Sequence, residues 1–211
     1  MPADLPYLLG QVRDLTNRYK AGTPDSFEAF RQLVLLLLSR TVLARDGGLT
    51  LSRGPQGPDT LGLGGWRGPD DPLPLNDGRY LRLSVALYLD NTPGGRRLKV
   101  KDSSYQYQSD AEGEQWIFRY DYLRTAEDPH PGAHLHVRGA LTETDCLPND
   151  TPLERIHFPT HRVSLEAVIR LLAEQFQVHC NEAPAIWRPV LAESERLFLE
   201  IAHRPAAGPD Q

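Results

Sequence analysis

The chain has 211 residues, of which 40% are hydrophobic and 24% are charged, and its formal net charge is −5 at pH 7. This composition is typical of a globular protein with one substantial core, so we expect a single domain over residues 1–211. The longest apolar run, LVLLLLS at Leu33–Ser39, is far shorter than the roughly 20 residues that span a membrane. The negative charge excludes a surface that attracts nucleic acid along its whole length, so any RNA site must be a local patch of Arg and His.

The N-terminal segment has an acidic residue where a secretory signal would carry a basic region, and no small-residue cleavage site follows an apolar core. Cys146 and Cys180 are the two cysteines of the sequence, and they lie in unlike surroundings. Unpaired thiols are typical of a reducing compartment. We therefore expect a cytoplasmic protein with free cysteines and no membrane contact.

Two helices are predicted in the N-terminal part of the chain. Apolar residues at helical spacing predict the first over residues 5–19 and the second over residues 25–44, and the second is apolar enough to be a core helix. Residues 47–78 follow, with nine glycines and five prolines among 32 residues. That composition predicts a long loop without helix or central strand.

Alternation of apolar and polar residues predicts an antiparallel meander of four to five strands. The strands are expected at residues 80–89, 98–107, 116–122 and 133–138, with a short fifth strand at 156–158. The phase of the second strand slips at Asp102–Ser104, as a β-bulge would cause. In the fourth strand, alternation places Leu135 and Val137 inward and the side chains of His134, His136 and Arg138 on the opposite, water-facing side.

Two further helices are predicted after the sheet. Ser164 is the expected N-cap of the first, which places Glu166, Arg170 and Glu174 on its outer side. A final helix is predicted over residues 189–203, followed by a frayed tail at 205–211. The fold class is therefore α+β, with two N-terminal and two C-terminal helices on the hydrophobic face of the sheet.

Residues 105–170 hold five of the seven histidines and the best candidates for chemistry. One interpretation is cleavage of an RNA phosphodiester without metal, because histidine titrates near neutrality and arginine clamps phosphate. The candidates are His134, His136 and His161 as acid and base, and Arg119, Arg138 and Arg162 as phosphate binders. His161 and Arg162 directly precede the Ser164 helix, whose N-terminus attracts anions.

A second interpretation is a metal site built on the His134-x-His136 pair, because two imidazoles two residues apart on a strand can converge on one ion. Asp121, Glu143, His157 and His161 are possible further ligands, although their spacing is not diagnostic of any metal. The simplest interpretation is that these polar residues form the wet face of an antiparallel sheet.

The motifs Tyr105-x-Tyr107, Phe118-Arg119-Tyr120-Asp121 and His134-x-His136, followed by a Ser-Leu-Glu helix start, resemble the TumE-type toxin family of bacterial toxin-antitoxin pairs. The similarity covers about residues 105–176. It implies a compact α+β toxin-like domain that acts in stress or phage defence and is neutralised by a partner encoded beside it. The matching positions are Arg119, Asp121, His134 and His136.

The leading functional hypothesis is therefore a toxin-like, metal-independent ribonuclease that needs no cofactor, with RNA as its substrate and an antitoxin or neighbouring defence protein as its partner. An alternative is a non-enzymatic module whose aromatic and helical surfaces bind another protein. The metal site at His134-x-His136 is the third hypothesis.

Overall fold

The computed structural model describes residues 4–53, 60–65, 68, 70–92, 95–124, 132–138 and 158–202. Within these residues the chain forms four helices, which are α1 (Leu5–Lys20), α2 (Asp25–Arg40), α3 (Leu165–Glu174) and α4 (Pro184–Ala202). The strands described are β1 (Thr50–Arg53), β2 (Thr60–Gly64), β3 (Leu73–Pro74), β4 (Tyr80–Thr92), β5 (Gly95–Gln108), β6 (Trp116–Leu123), β7 (Ala133–Val137) and β8 (Phe158–Pro159).

All of these strands belong to one antiparallel sheet. Its order is β1-β2-β4-β5-β6-β7-β8, and β3 pairs with β4 beside this path. Two helices precede the sheet in the chain and two follow it, so the predicted α+β class with an antiparallel meander is confirmed. None of the helices in the described part of the chain is long and apolar enough to cross a membrane.

The sheet has more strands than predicted because residues 47–78 contain β1, β2 and β3. Leu61 and Leu63 of β2 pair with Leu87 and Val85 of β4, and Leu63 is buried. Gly62 and Gly64 alternate with these leucines and weaken the strand signal, but they are tolerated because the pairing partner supplies the buried apolar surface. Long-range pairing with β4 therefore overrides the local composition.

The hydrophobic core lies between one face of the sheet and the helices. Alternate residues of β4 are buried together with apolar residues from all four helices, including Leu8, Leu37, Leu83, Ile169 and Leu191. In β5 the pairing shifts so that Ala86 lies opposite Asp102 and Leu87 opposite Val100, which leaves Lys101 as the extra residue of a bulge. The predicted slip in phase is real and lies one residue before the expected position.

Two helix ends differ from the prediction. Helix α4 begins at Pro184 rather than at Pro189. A proline in the first turn of a helix loses no hydrogen bond, so Pro184 can start the helix. Pro189 lies inside the helix and removes one backbone donor. Helix α2 ends at Arg40, four residues early. The Nδ2 atom of Asn181 donates to the carbonyls of Ser39 and Leu43, and its backbone N–H donates to Thr41, so tertiary contacts satisfy the end of α2.

Candidate functional site

The face of the sheet opposite the helices carries a cluster of three potential ligands. Asp121 lies on β6 directly opposite His134 on β7, and Arg119 lies opposite His136. Tyr120 and Leu135 form the pair between these two pairs, and both pack against the hydrophobic core. Because successive residues of a strand point to opposite faces, the two histidines, Asp121 and Arg119 share the other face.

The carboxylate of Asp121 is the centre of this cluster. Its Oδ2 atom lies 3.4 Å from Nε2 of His136 and 3.7 Å from Nε2 of His134. The two imidazole rings meet edge to face, with centroids 4.8 Å apart. One ligand atom from each of the three residues lies within 4.8 Å of the other two.

Exposure increases across the cluster from the histidines towards Arg119. The side chains of His134 and His136 are 6% and 7% exposed, that of Asp121 is 19% exposed and that of Arg119 is 38% exposed. The expected water-facing row is therefore wrong for the two histidines, which are buried. Of the four side chains, that of Arg119 is the most exposed to solvent.

Arg119 is held by Asp121, two residues along the same strand. Its Nε atom donates to Oδ2 of Asp121 at 2.7 Å, the same oxygen that both histidines approach. Within the described residues, the Arg119 guanidinium makes this one hydrogen bond. The bond uses one of the five N–H groups of the guanidinium. The two terminal nitrogens of the guanidinium make no hydrogen bond within the described residues.

The other predicted site residues lie outside the cluster. Arg138 follows β7, is exposed, and its Nη1 atom donates to the carbonyl of Glu114. His161 is exposed and is not among the three clustered ligands. His157 and Glu143, two possible metal ligands from the sequence, lie outside the described residues, as do Cys146 and the tail at 205–211.

Arg162 lies on the helix side of the sheet, away from the histidines. Its guanidinium carbon lies 4.5 Å from the ring centroid of Tyr122 and 4.9 Å from that of Phe198. Tyr122 belongs to the core-facing row of β6, and Arg162 lines a cavity of ≈ 60 Å³ between the sheet and the helices. Burial lowers the pKa of Arg162. This position separates Arg162 from any site built on His134 and His136.

The polar residues 109–114 predict a turn, and the turn at residues 109–115 folds over part of the polar face beside Arg119. Gln108 donates to the carbonyls of Asp110 and Ala111, and Nη2 of Arg82 donates to that of Glu112. Gly113 has a φ of +84°, and a Cβ there would lie 3.3 Å from Nη2 of Arg82 and from Oε1 of Gln108. Alternation predicts the polar face of β5, but no local signal predicts that the turn folds over it.

Two kinds of chemistry suit the cluster. Two imidazole nitrogens and one carboxylate oxygen form a ligand set for zinc or non-haem iron. A carboxylate beside an imidazole also orients histidine for proton transfer. Both kinds use the same three residues, so a measurement of metal content separates them.

A comparison with protein-family models, curated proteins and solved structures finds no match for the chain. The resemblance to TumE-type toxins rests on the quoted motifs alone and stays a prediction. The functional interpretation therefore depends on the geometry of the cluster.

Proposed function

We propose that the protein binds a divalent transition-metal ion through Oδ2 of Asp121 and the Nε2 atoms of His134 and His136. The observation that carries this proposal is the spacing of the donor atoms. With metal–ligand bonds of about 2.0–2.1 Å, tetrahedral coordination places donor atoms about 3.3–3.4 Å apart. The distances of 3.4 Å and 3.7 Å between these nitrogens and the Asp121 oxygen are close to that spacing, and one ligand atom from each of the three residues lies within 4.8 Å of the other two.

The ligand set also suggests what the ion does. Structural zinc sites close their coordination sphere with four protein ligands, whereas catalytic sites keep a position for water or substrate. Within the described residues, two histidines and one carboxylate form the ligand set, which leaves such a position for zinc and several for iron(II). We therefore assign the cluster to a metal centre of the catalytic type rather than to a structural one.

Titration of zinc and iron(II) into metal-free protein, with elemental analysis of the purified protein, tests this assignment. We expect about one ion per chain in the wild type. The His134→Ala/His136→Ala double variant and Asp121→Asn are expected to weaken binding by more than the roughly 10–100-fold that loss of an outer-shell partner costs. Their far-UV circular dichroism checks that the fold is retained.

His161→Ala is the matched control, because this histidine is exposed and lies outside the cluster. It is expected to bind metal as the wild type does. Wild-type protein without stoichiometric metal, or equal binding by the double variant and the wild type, would refute the metal centre.

Ribonuclease activity without metal is a second candidate function. It is supported by the approach of both imidazoles to one carboxylate, which can fix their orientation for acid and base catalysis. The burial of both imidazoles argues against direct contact with a polymer, because a general base must come within hydrogen-bonding distance of its substrate. In this interpretation the protein acts in the cytoplasm and an antitoxin-like partner neutralises it.

An RNA degradation assay with and without chelator separates the two candidates. We expect any RNA cleavage by the wild type to stop when the metal is removed and to return with zinc or iron(II). Cleavage that persists in chelator and is lost in the His134→Ala/His136→Ala variant would instead support the metal-independent ribonuclease.

A further inference from the structure

We infer that the open side of the proposed metal centre binds a phosphoryl dianion, such as the terminal group of a phosphate monoester, between the ion and the guanidinium of Arg119. This inference rests on the proposed function, because the metal supplies one of the two contacts. It adds the chemical class of the ligand and the residue that selects it.

The position of Arg119 is the first reason to expect an anion at this site. The imidazoles are almost fully buried, and exposure rises through Asp121 to Arg119. Within the described residues, a ligand that approaches from the more exposed end of the cluster therefore meets the guanidinium. A planar guanidinium binds two oxygens of one phosphate at the same time, so a phosphoryl group suits this entrance.

The net charge of the metal-loaded site is the second reason to expect an anion. Without metal, the positive charge of Arg119 and the negative charge of Asp121 cancel within a 2.7 Å ion pair. A divalent ion added to the pair and two neutral imidazoles leaves a net charge of about +2, because the bound ion is the largest local charge. A phosphate monoester carries about −1.5 to −2 charge at pH 7 and therefore complements the loaded site.

Arg119 is also the arginine that contacts the cluster in the described structure, through Oδ2 of Asp121. Arg82 donates to the carbonyl of Glu112 under the 109–115 turn, and Arg138 donates to that of Glu114. Arg119 uses only Nε for Asp121, which leaves its terminal nitrogens for an incoming anion in the part of the chain that the structure describes. The metal neutralises Asp121, so metal binding and anion binding are expected to strengthen each other.

Calorimetric titration of inorganic phosphate into zinc-loaded and metal-free protein tests the inference. We expect phosphate to bind the loaded wild type at least about tenfold more tightly than the metal-free protein, and acetate, a monoanion, to bind more weakly than phosphate. In Arg119→Gln, zinc affinity is expected to be at least as high as in the wild type, because a neighbouring cation is removed. Its phosphate affinity is expected to fall by about tenfold or more.

Arg188→Gln is the matched control, since Arg188 is exposed on α4 and pairs with Glu174. It is expected to leave both affinities unchanged. Zinc uptake without phosphate binding, or equal phosphate affinity in the loaded wild type and Arg119→Gln, would overturn the inference and leave the metal centre standing. Failure of the wild type to take up metal would overturn both proposals.

Discussion

At the scale of single residues, Ser164 has two roles at the start of α3. Its Oγ atom accepts a hydrogen bond from the backbone N–H of Ala167 at 3.1 Å, as an N-cap does. The same hydroxyl donates to Oε1 of Glu195 on α4 at 2.8 Å, and Arg170 donates to the second oxygen of that carboxylate. The sequence predicted the cap, but it gave no indication of the link to α4.

Ser164→Ala is therefore expected to lower the free energy of unfolding by about 1–2 kcal/mol, because an N-terminal N–H loses its acceptor and Glu195 loses a donor. Urea denaturation of the two proteins measures this difference. Ser39→Ala is the matched control, since the Ser39 hydroxyl bonds a carbonyl within its own helix and is exposed. We expect it to change stability by less than about 0.5 kcal/mol, and equal effects of the two variants would contradict the double role of Ser164.

At the scale of elements, an ion pair joins the first and last helices. Nε of Arg13 on α1 lies 2.7 Å from Oε1 of Glu193 on α4, and Arg196 lies 3.0 Å from the second oxygen. The hydrogen bonds from Arg196 and Arg13 lower the pKa of the Glu193 carboxyl from 4.5 to about 2. The ionised form of Glu193 therefore stabilises the contact between α1 and α4.

This shift determines how stability depends on pH. The folded-state pKa of Glu193 lies below its ordinary value, so its contribution is present above about pH 4.5 and is lost as the pH falls to about 2. Glu193→Gln is expected to be less stable than the wild type at neutral pH, with the difference shrinking over that interval. Denaturation at a series of pH values measures it. Glu112→Gln, a change of an exposed carboxylate in the 109–115 turn, should show no such convergence, and a difference for Glu193→Gln that does not depend on pH would refute the assignment.

Helix α3 shows that packing against a neighbouring helix can bury a residue that helical periodicity places on the outer side. Helical spacing placed Glu166 on the outer side with Arg170 and Glu174, but Glu166 is buried and accepts a hydrogen bond from Ser194 at 2.5 Å. Burial raises the pKa of the Glu166 carboxyl. The outer side of one end of α3 is covered by α4, and periodicity within α3 carries no information about that contact.

At the scale of the whole molecule, the sheet separates two environments. One face packs against the four helices and holds the hydrophobic core, and the other carries Asp121, His134, His136 and Arg119. Arg162 lies on the helix side of the sheet and the cluster lies on the other face. Arg162 and the two histidines therefore cannot act on one ligand. The described residues leave Asp121, His134 and His136 as the group that can hold an ion.

The sequence by itself determined the α+β class, the four helices, the central meander and the sharing of one face by His134 and His136. These features depend on periodicity and capping, which are properties of neighbouring residues. Only the tertiary structure decided that β6 and β7 pair in the register that places Asp121 beside His134, that both histidines are buried, and that Arg162 lies on the helix side. Register and burial arise from contacts between residues far apart in the chain, so local patterns do not determine them.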